Sequence, residues 1–327
     1  MLQNGRFIPG TQQFFYHNLF LQNYCKFKIQ CYSLYMNVKN IQNFNLHAHH
    51  GGFGLFNGKR TGADGHNNAV RMLQTAKSRG FETYALVAHL DFNRHIKFDG
   101  MKKYEGMTQF NDIKCAIADY KRAANAVREA AKTVPGIKTL VGFEVDFYRG
   151  KDWLEDFNVI KNNIDYDFLI GSTHSISNSD GTKCRSMYFM DPTDFTYHAV
   201  HNYYQNIEYC ISSGLFDFIA HIDLIRDFVP KHMLNTTDAI DDIIKLLNFY
   251  NMPTEINTSG FRKKDFAGYP EQTILNKLAK SNIPVFISDD AHNIKSVGEN
   301  FALAANCLNQ AGIKKYTLSD ILGVKHK

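Results

Sequence analysis

Short apolar runs and longer amphipathic stretches alternate along the chain from residue 44 onward. The runs are rich in β-branched and aromatic residues and have the length of β-strands. Because helical stretches separate most of these runs, the pattern predicts an α/β fold with a mostly parallel sheet. Seven strands favour closure of that sheet into a barrel over a small open sheet. We predict strands over residues 44–49, 84–89, 139–147, 167–174, 216–223, 253–258 and 283–292.

The stretches between the predicted strands carry apolar residues at helical spacing. Asp191 and Pro192 resemble an N-cap followed by proline at the first helical position, so we predict a helix from there to Gly214. Further helices are predicted over residues 112–133, 238–250, 269–280 and 297–308. The stripe of the helix at 112–133 consists of Ile113, Ile117, Tyr120, Ala124, Val127 and Ala131.

Residues 1–43 differ from the rest of the chain. They are rich in Asn, Gln, Phe and Tyr and follow neither a helical nor a strand period. We therefore predict an N-terminal extension that is either poorly ordered or prone to β-structure. A single catalytic barrel over residues 44–327 is expected to follow it.

Composition and charge restrict the class of protein. The chain has 327 residues, of which 44% are hydrophobic and 21% charged, as in ordinary globular proteins. A net charge of +5, without a long run of like charges, argues against a nucleic-acid partner bound through counterion release. Six scattered cysteines without a Cys-x-x-Cys pair argue against a disulfide scaffold and a cysteine zinc site. Without a continuous apolar segment for a membrane span or a signal peptide, we expect a cytoplasmic protein.

Residues that can bind a metal lie at or near the C-terminal ends of six of the seven predicted strands. In a parallel barrel these ends converge on one face, where active sites are built. One histidine at a strand end is more often a hydrogen-bonded structural residue, but packing alone explains six such coincidences poorly. Imidazole and carboxylate ligands suit zinc, manganese and iron. The residues are His47, His49, His89, Glu144, His174, His221, Asp290 and His292.

The spacing within two of the strand ends supports a shared site. Residues i and i+2 of a strand point to the same side of the sheet. His47 and His49 can therefore bind one ion together, and Asp290 with His292 repeats this arrangement. The alanine between the members of each pair would face away from the ion.

Taken in order, these motifs and their neighbours resemble the PHP (polymerase and histidinol phosphatase) superfamily, and within it the histidinol-phosphatases. The resemblance covers about residues 44–301. Each motif alone is weakly specific, whereas the ordered set is highly specific. The motifs are NLHAH at 45–49, DG at 64–65 ahead of a helix, ALVAH at 85–89, GFEVDF at 142–147, IGSTH at 170–174, IAHIDL at 219–224, EINTSG at 255–260 and SDDAH at 288–292.

The resemblance implies a distorted TIM-like (β/α)7 barrel of the PHP type that holds up to three divalent ions, which are zinc, manganese or iron. His66 is close enough to Asp64 in the sequence to take its place as a ligand. The implied ligands are His47, His49, Glu144 and Asp290 for one ion, Asp64, His89 and His292 for a second, and Glu144, His174 and His221 for a third.

The resemblance further implies a phosphomonoesterase of histidine biosynthesis that hydrolyses L-histidinol phosphate to histidinol and phosphate. We expect attack by a metal-bound hydroxide, with Glu144, Asp290 and His292 acting in catalysis. Arg185 and Arg262 are candidates to bind the phosphate through paired guanidinium N–H groups. For either arginine alone, an exposed position in a surface loop is an equally good interpretation.

Other questions stay open in the sequence. Asp91, His95 or Asp223 can protonate the leaving alkoxide. Asp146, two residues after Glu144, is a candidate to orient a ligand.

The alternative functions are a PHP phosphoesterase of another kind, such as a nuclease or nucleotide phosphatase, and a metal-binding module without catalysis. Asn45, where the family usually has aspartate, is the feature that suggests the second alternative. The expected partner is a small phosphorylated substrate, with no nucleic acid and no membrane.

Overall fold

A computed structural model describes residues 41–51, 62–95, 97–98, 112–234 and 237–323, and within these it gives the backbone alone for residues 62–67, 97–98 and 237. The extension predicted over residues 1–43 therefore lies outside the described residues up to residue 40. The strands are β1 (Phe44–Asn45), β2 (Thr83–Leu90), β3 (Lys97–Phe98), β4 (Lys138–Asp146), β5 (Phe168–Ser172), β6 (Ser175–Ser177), β7 (Lys183–Ser186), β8 (Phe218–Ile219), β9 (Thr254–Asn257) and β10 (Val285–Ser288).

Seven of these strands form one parallel sheet in the order β1-β2-β4-β5-β8-β9-β10. A parallel bridge between Ala48 and Ala291 joins the two ends of this order, with a 2.8 Å hydrogen bond from the His49 N–H to the Ala291 carbonyl. The Gln42 amide continues this seam, since it donates to the carbonyl of Ile287 and accepts from the N–H of the same residue. The predicted α/β barrel is thus confirmed.

The helices are α1 (Gly62–Ser78), α2 (Ile113–Thr133), α3 (Lys151–Lys161), α4 (Tyr197–Ser212), α5 (Thr237–Phe249), α6 (Gln272–Leu278), α7 (Phe301–Ala311) and α8 (Leu318–Leu322). The helix predicted over residues 112–133 is α2, and Asp112 caps it by accepting from the N–H of Lys114 at 2.8 Å. The sequence analysis did not predict α3, although Trp153, Phe157 and Ile160 form a buried stripe along it.

The predicted start of the helix at Asp191 is wrong. Pro192–Asp194 forms a single 3-10 turn, and Phe195 after it is buried with an extended backbone. This interrupts the helical path, so α4 begins only at Tyr197, where the Thr196 side chain accepts from the Ala199 N–H at 3.1 Å. Proline and an acidic cap fit a 3-10 turn as well as a helix, and burial of Phe195 decides between them.

The barrel interior is filled by aromatic side chains from the first halves of the strands. The Phe168 and Phe218 rings stack with centroids 5.9 Å apart, and Phe286 meets Phe218 edge to face at 4.9 Å. Gly142 of β4 leaves room for this cluster, because a Cβ there would lie 2.5 Å from Phe168 Cζ. Ile321 of α8 joins the same cluster. With this end of the barrel packed by side chains, the opposite strand ends are left for the polar residues.

A second, three-stranded sheet in the order β3-β7-β6 lies beside the barrel, with β6 and β7 antiparallel. It was not predicted from the sequence, because its strands are short and contain polar residues. The N–H of Met187, directly after β7, donates to the carbonyl of His174 at 3.0 Å, which ties this sheet to the end of β5.

Two expectations from the sequence analysis concern membrane spans and the state of the cysteines. In the part of the chain that the structure describes, no helix is long and apolar enough to cross a membrane. Among the described residues, the cysteines at 115, 184, 210 and 307 are free thiols.

Candidate metal centre

Eight of the nine predicted ligands lie at or near the C-terminal ends of six strands. His47 and His49 follow β1, His174 follows β5 and His221 follows β8, each within four residues of the last residue of its strand. Asp290 and His292 follow β10 in the same way, whereas His89 and Glu144 lie within β2 and β4. The register of β2 and β4 sets His89 directly beside Glu144. Parallel strands therefore deliver all of these side chains to one end of the barrel, as the sequence predicts.

Glu144 is at the centre of the cluster, and its side chain is 1% exposed. Its Oε2 lies 3.0 Å from His89 Nδ1 and 3.3 Å from His49 Nε2. Its Oε1 lies 2.9 Å from His221 Nε2 and 3.4 Å from His174 Nε2. His47 Nε2 lies 3.6 Å from Oε2 as well, so one carboxylate faces five imidazoles.

His47, His49 and Asp290 form a triangle of ligand atoms beside Glu144. The two Nε2 atoms are 3.3 Å apart, and Asp290 Oδ1 lies 3.4 Å from His49 Nε2 and 3.7 Å from His47 Nε2. Ligands at about 2.0–2.1 Å from a tetrahedral zinc ion are about 3.3 Å apart. The spacing of these three donors therefore fits a shared cation.

The remaining candidate groups overlap with this triangle. The His49 ring stacks against the rings of His89 and His292, with centroids 4.3 Å and 4.2 Å apart. The four groups of donors that could each hold an ion are His49, His89 and His292; His47, His49 and Asp290; His47, Glu144 and His221; and His89, Glu144 and His174. These groups contain every predicted ligand except Asp64.

Asp64 is the one predicted ligand whose side chain lies outside the described part of the structure. Its backbone lies in the first turn of α1, which begins at Gly62, so the expectation that Asp64 precedes the helix is wrong. The side chains of residues 62–67, including His66, lie outside the description.

Two carboxylates contact the Nδ1 atoms of imidazoles whose Nε2 atoms face the centre. Both oxygens of Glu255 lie 3.1 Å from His47 Nδ1, and Glu255 is fully buried. Asp146 makes the corresponding contact with His174 Nδ1. Such a carboxylate fixes the ring orientation, so that Nε2 points toward the ligand site. The sequence analysis anticipated Asp146 as an orienting residue and missed Glu255.

Glu255 was missed because it lies in the middle of a strand rather than at its end. The signal that could have found it is an acidic residue in a strand that is otherwise buried. Asn257 extends the contact, since its amide Nδ2 lies 2.9 Å from Glu255 Oε1 and 3.3 Å from Asp290 Oδ2. One amide therefore links the group that orients His47 to the carboxylate of Asp290.

Asn45 has a structural partner in this protein. Its amide Nδ2 donates to Asp289 Oδ1 at 3.0 Å, and the Asp289 N–H donates to Asn45 Oδ1 at 3.1 Å. The other oxygen of Asp289 accepts from the Tyr84 hydroxyl and the Gly298 N–H, both at 2.7 Å. A second carboxylate at position 45 would face Asp289 at close range, so asparagine is the residue that fits here.

Two ligand positions have a backbone conformation that is rare for residues other than glycine. His221 has φ 26° and Asp290 has φ 45°. The Asp290 backbone is fixed in this conformation because its N–H donates to the His47 carbonyl at 2.8 Å. Strain of this kind concentrates at functional sites, where the surrounding structure over-determines the conformation.

The electrostatics of the centre favour ionised carboxylates. Burial alone would raise the pKa of Glu144, yet the imidazoles of His174, His47 and His89 hold it well below the usual value. Burial lowers the pKa of His174, but Asp146 and Glu144 raise it to about 9. A cation would take the place of such protons, because imidazole binds a metal in its neutral form.

His292 shows the opposite behaviour. Burial lowers its pKa to about 3, and the neighbouring His49 and His89 act in the same direction. Its imidazole is therefore neutral at physiological pH, which is the state required of a ligand. The donors thus include imidazoles already neutral and carboxylates already charged, and this set suits a divalent cation.

The predicted phosphate-binding arginines occupy different surroundings. Arg262 lies against the ligand loop, where its Nη2 donates to the carbonyls of Asp289 and Asp290 at 2.9 and 3.1 Å. Arg185 of β7 forms an ion pair with Asp194 at 2.6 Å, and its side chain is 38% exposed. Arg262 is thus next to the ligand cluster, whereas Arg185 lies on the neighbouring small sheet and is paired with Asp194.

The three residues considered as proton donors to the leaving group each contact a residue away from the ligand cluster. Burial raises the pKa of Asp223 to about 6. The contacts are Asp223 with Arg226 at 3.2 Å, His95 with Asp156 at 2.7 Å, and Asp91 with the Tyr120 hydroxyl at 3.4 Å.

A closed parallel barrel with imidazoles and carboxylates at its C-terminal strand ends defines the class of metal-binding α/β barrels. Within this class, the sequence model of the PHP domain matches residues 60–259, more than half of the chain. The chain therefore belongs to the PHP domain family. A relative from Schizosaccharomyces pombe, named "Probable histidinol-phosphatase", is 26% identical over 267 residues, which cover 74% of this chain and 80% of that protein.

Solved structures share the fold. The HisK protein from Listeria monocytogenes gives a TM-score of 0.60 at 19% identity and covers 80% of this chain and 99% of its own. The histidinol phosphate phosphatase from Lactococcus lactis subsp. lactis Il1403, in complex with zinc, L-histidinol and phosphate, gives a TM-score of 0.59 at 17% identity. That comparison covers 84% of this chain and 95% of the other. At these identities the likeness establishes the common barrel.

Proposed function

We propose that this protein is a metal-dependent phosphomonoesterase that hydrolyses L-histidinol phosphate to histidinol and phosphate. The observation that carries the proposal is Glu144, whose two oxygens lie 2.9–3.4 Å from nitrogens of four imidazoles. A buried carboxylate in this position is suited to bridge cations. The Schizosaccharomyces pombe relative and the Lactococcus lactis phosphatase, which carry this activity in their names, support the choice of substrate.

The metal content follows from the donor set. Four overlapping groups of three donors are compatible with up to three divalent ions, and imidazole with carboxylate suits zinc, manganese and iron. Zinc is favoured because the related Lactococcus lactis phosphatase contains it. The proposed ligands are His47, His49, His89, Glu144, His174, His221, Asp290 and His292, with Asp64 as a ninth.

The described side chains orient the imidazoles and supply the negative charge that a metal centre for phosphate hydrolysis requires. When bound, divalent ions would lower the pKa of a coordinated water and neutralise phosphoryl oxygens. Glu255 and Asp146 keep the His47 and His174 rings oriented toward the centre. Glu144 and Asp290 supply negative charge to hold the cations, since their neighbouring imidazoles keep their pKa values well below the usual range.

Arg262 is the arginine that we propose to bind the phosphate. Its Nη2 donates to the carbonyls of Asp289 and Asp290, and its Nη1, which has no hydrogen-bond partner among the described residues, lies 3.9 Å from Glu299 Oε2. A guanidinium fixed beside the ligand loop suits an anionic oxygen. Arg185 is the second proposed phosphate ligand, and its ion pair with Asp194 would have to open for this role.

The localisation and the extent of the catalytic unit belong to the same proposal. A biosynthetic phosphatase with free thiols fits a cytoplasmic enzyme, since reducing compartments keep cysteines unpaired. We take residues 44–327 as a single catalytic unit, because residues after the first and last barrel strands meet at the seam and Ile321 of α8 packs in the barrel interior.

A panel of phosphoesters tests the substrate. The protein, purified with its metals and analysed for zinc, manganese and iron, is assayed with L-histidinol phosphate, nucleoside monophosphates and single-stranded oligonucleotides. We expect L-histidinol phosphate to give the highest kcat/KM. Preference for an oligonucleotide or a nucleotide would indicate another phosphoesterase, and bound metal without any hydrolysis would indicate a module without catalysis.

The Glu144→Gln variant tests the metal centre. Loss of the central charge is expected to reduce bound metal and to lower kcat by at least about a hundredfold, because the charge is needed to hold the cations. Glu155→Gln, the same change at an exposed position on α3, is the control. Full metal occupancy with full turnover in Glu144→Gln would contradict the role of Glu144.

A further inference from the structure

The candidate metal centre is open to solvent on one side. His47, His49 and Glu144 are 0–1% exposed, so the cluster is closed around them. Exposure rises to 12% at the His174 side chain and 25% at that of His292. The His89 and Asp290 side chains are 13% and 15% exposed, so these four side chains together line the open side.

Tyr188 stands at this opening. It belongs to the 3-10 turn Met187–Phe189, which is anchored because Met187 is buried and its N–H donates to the His174 carbonyl at 3.0 Å. The centroid of the Tyr188 ring lies 6.1 Å from that of His174, at an interplanar angle of 38°. Tyr188 is 49% exposed, so its ring presents a large surface to solvent.

The other side of the Tyr188 ring is supported by aromatic packing. Phe228 meets it edge to face with centroids 5.2 Å apart, and Phe195 stacks on Phe228 at 5.9 Å. The ring therefore has fixed neighbours on two sides and an open surface toward solvent. An aromatic group held in this way offers a preformed surface to a ligand.

The carboxylates of the centre also act electrostatically on the Tyr188 hydroxyl. Burial of the hydroxyl raises its pKa well above the ordinary value, and the charges of Asp290, Glu144 and Asp146 raise it further.

We propose that Tyr188 selects the leaving group, and that its ring packs against the flat, heteroaromatic ring of the alcohol that the enzyme releases. This inference rests on the proposed function. With the phosphate at the metals, the leaving group points to the open side, where Tyr188 is the exposed aromatic neighbour of His174. Stacking between aromatic rings, and attraction of a cationic ring to the face of tyrosine, favour an imidazole over an aliphatic alcohol.

The experiment compares two substrates in the metal-loaded enzyme. L-histidinol phosphate has a heteroaromatic leaving group, and glycerol 1-phosphate has an aliphatic one. Tyr188→Leu is expected to raise KM for L-histidinol phosphate about three- to tenfold, with kcat nearly constant and with KM for glycerol 1-phosphate unchanged. Tyr188→Phe keeps the ring and is expected to behave like the wild type.

The control is Tyr209→Leu, which removes a tyrosine of 50% exposure from α4 and should leave both substrates unaffected. Metal content and Tm of each variant are measured beside the kinetics. An equal change for both substrates, or a Tyr188→Phe variant as impaired as Tyr188→Leu, would overturn the role of the ring.

The two proposals fail in different ways. If the wild type does not prefer L-histidinol phosphate, the proposed function is wrong and this inference falls with it. If the wild type has the preference and Tyr188→Leu keeps it, the proposed function stands and Tyr188 does not select the leaving group.

Discussion

Individual residues in this protein act in pairs of a carboxylate and an imidazole. His47 meets Glu255, and His174 meets Asp146, each through Nδ1, so the Nε2 atoms of both rings are directed to the centre. An imidazole held on one side loses little rotational freedom when its other nitrogen binds a ligand. We therefore expect the orienting carboxylates to influence affinity for a metal without contacting it.

Glu255→Gln tests this at one residue. Glutamine keeps the size of the side chain but removes the charge that accepts from His47 Nδ1, so the ring is held less firmly. We expect affinity for zinc to fall about ten- to a hundredfold. Competition with a chromophoric chelator measures the zinc Kd of the metal-free chain.

Glu155→Gln again provides the control, since it removes a carboxylate whose side chain is 66% exposed. The Tm of the metal-free forms shows whether Glu255→Gln also disturbs the fold. A zinc Kd equal to that of the wild type would show that Glu255 has no part in holding the metal.

Much of the candidate site could be predicted at this scale, because histidines and acids at strand ends are visible in the sequence. His47, His49, Asp290 and His292 needed only the period of two residues in a strand. Glu255 could not be predicted, because its partner His47 is 208 positions away and only the register of the barrel brings them together.

At the scale of elements, strands and amphipathic helices follow the sequence closely. The predicted strand over residues 139–147 corresponds to β4, and that over residues 84–89 to β2. β1 and β8 are only two residues long, although longer strands were predicted over 44–49 and 216–223. After β1 the regular ladder is interrupted, and pairing resumes only as isolated bridges of Ala48 with Ala291 and of His49 with Val87.

Strand β4 needs glycine at position 142. A Cβ there would lie 2.5 Å from Phe168 Cζ and 3.0 Å from Val87 Cγ1. Gly142→Ala should therefore lower the free energy of unfolding by about 1–3 kcal/mol through overpacking. Denaturation of the metal-free protein in urea measures this loss.

Phe168→Leu supplies the space that the extra methyl group requires. In that background Gly142→Ala should cost at least about 1 kcal/mol less, because the two side chains are in contact. Strict additivity of the two changes would mean that the Phe168 ring is not what restricts position 142.

At the scale of the whole molecule, the candidate ligands are distributed over most strands of the barrel. The ligands come from β1, β2, β4, β5, β8 and β10 or the residues directly after them, so bound cations would cross-link most of the sheet. The buried charges of the centre would also be neutralised. Metal binding and folding stability should therefore be coupled.

Removal of the metals tests this coupling. An ion present at a thousand times its Kd stabilises the native state by about 4 kcal/mol. For a chain of this length, chelation should thus lower Tm by roughly 5–10 °C, and added zinc should restore it. Calorimetry with metal analysis makes the measurement, and an unchanged Tm after verified removal would exclude the cross-linking role.

The sequence by itself determined the succession of the seven barrel strands, the α/β class and most of the candidate ligands. These depend on local period and on residue type, which are properties of short segments. Closure at the seam between Ala48 and Ala291, the pairing of Asn45 with Asp289, and the contact of Glu255 with His47 were decided by the tertiary structure. Each of them joins residues more than two hundred positions apart, and no local pattern records which distant strands become neighbours.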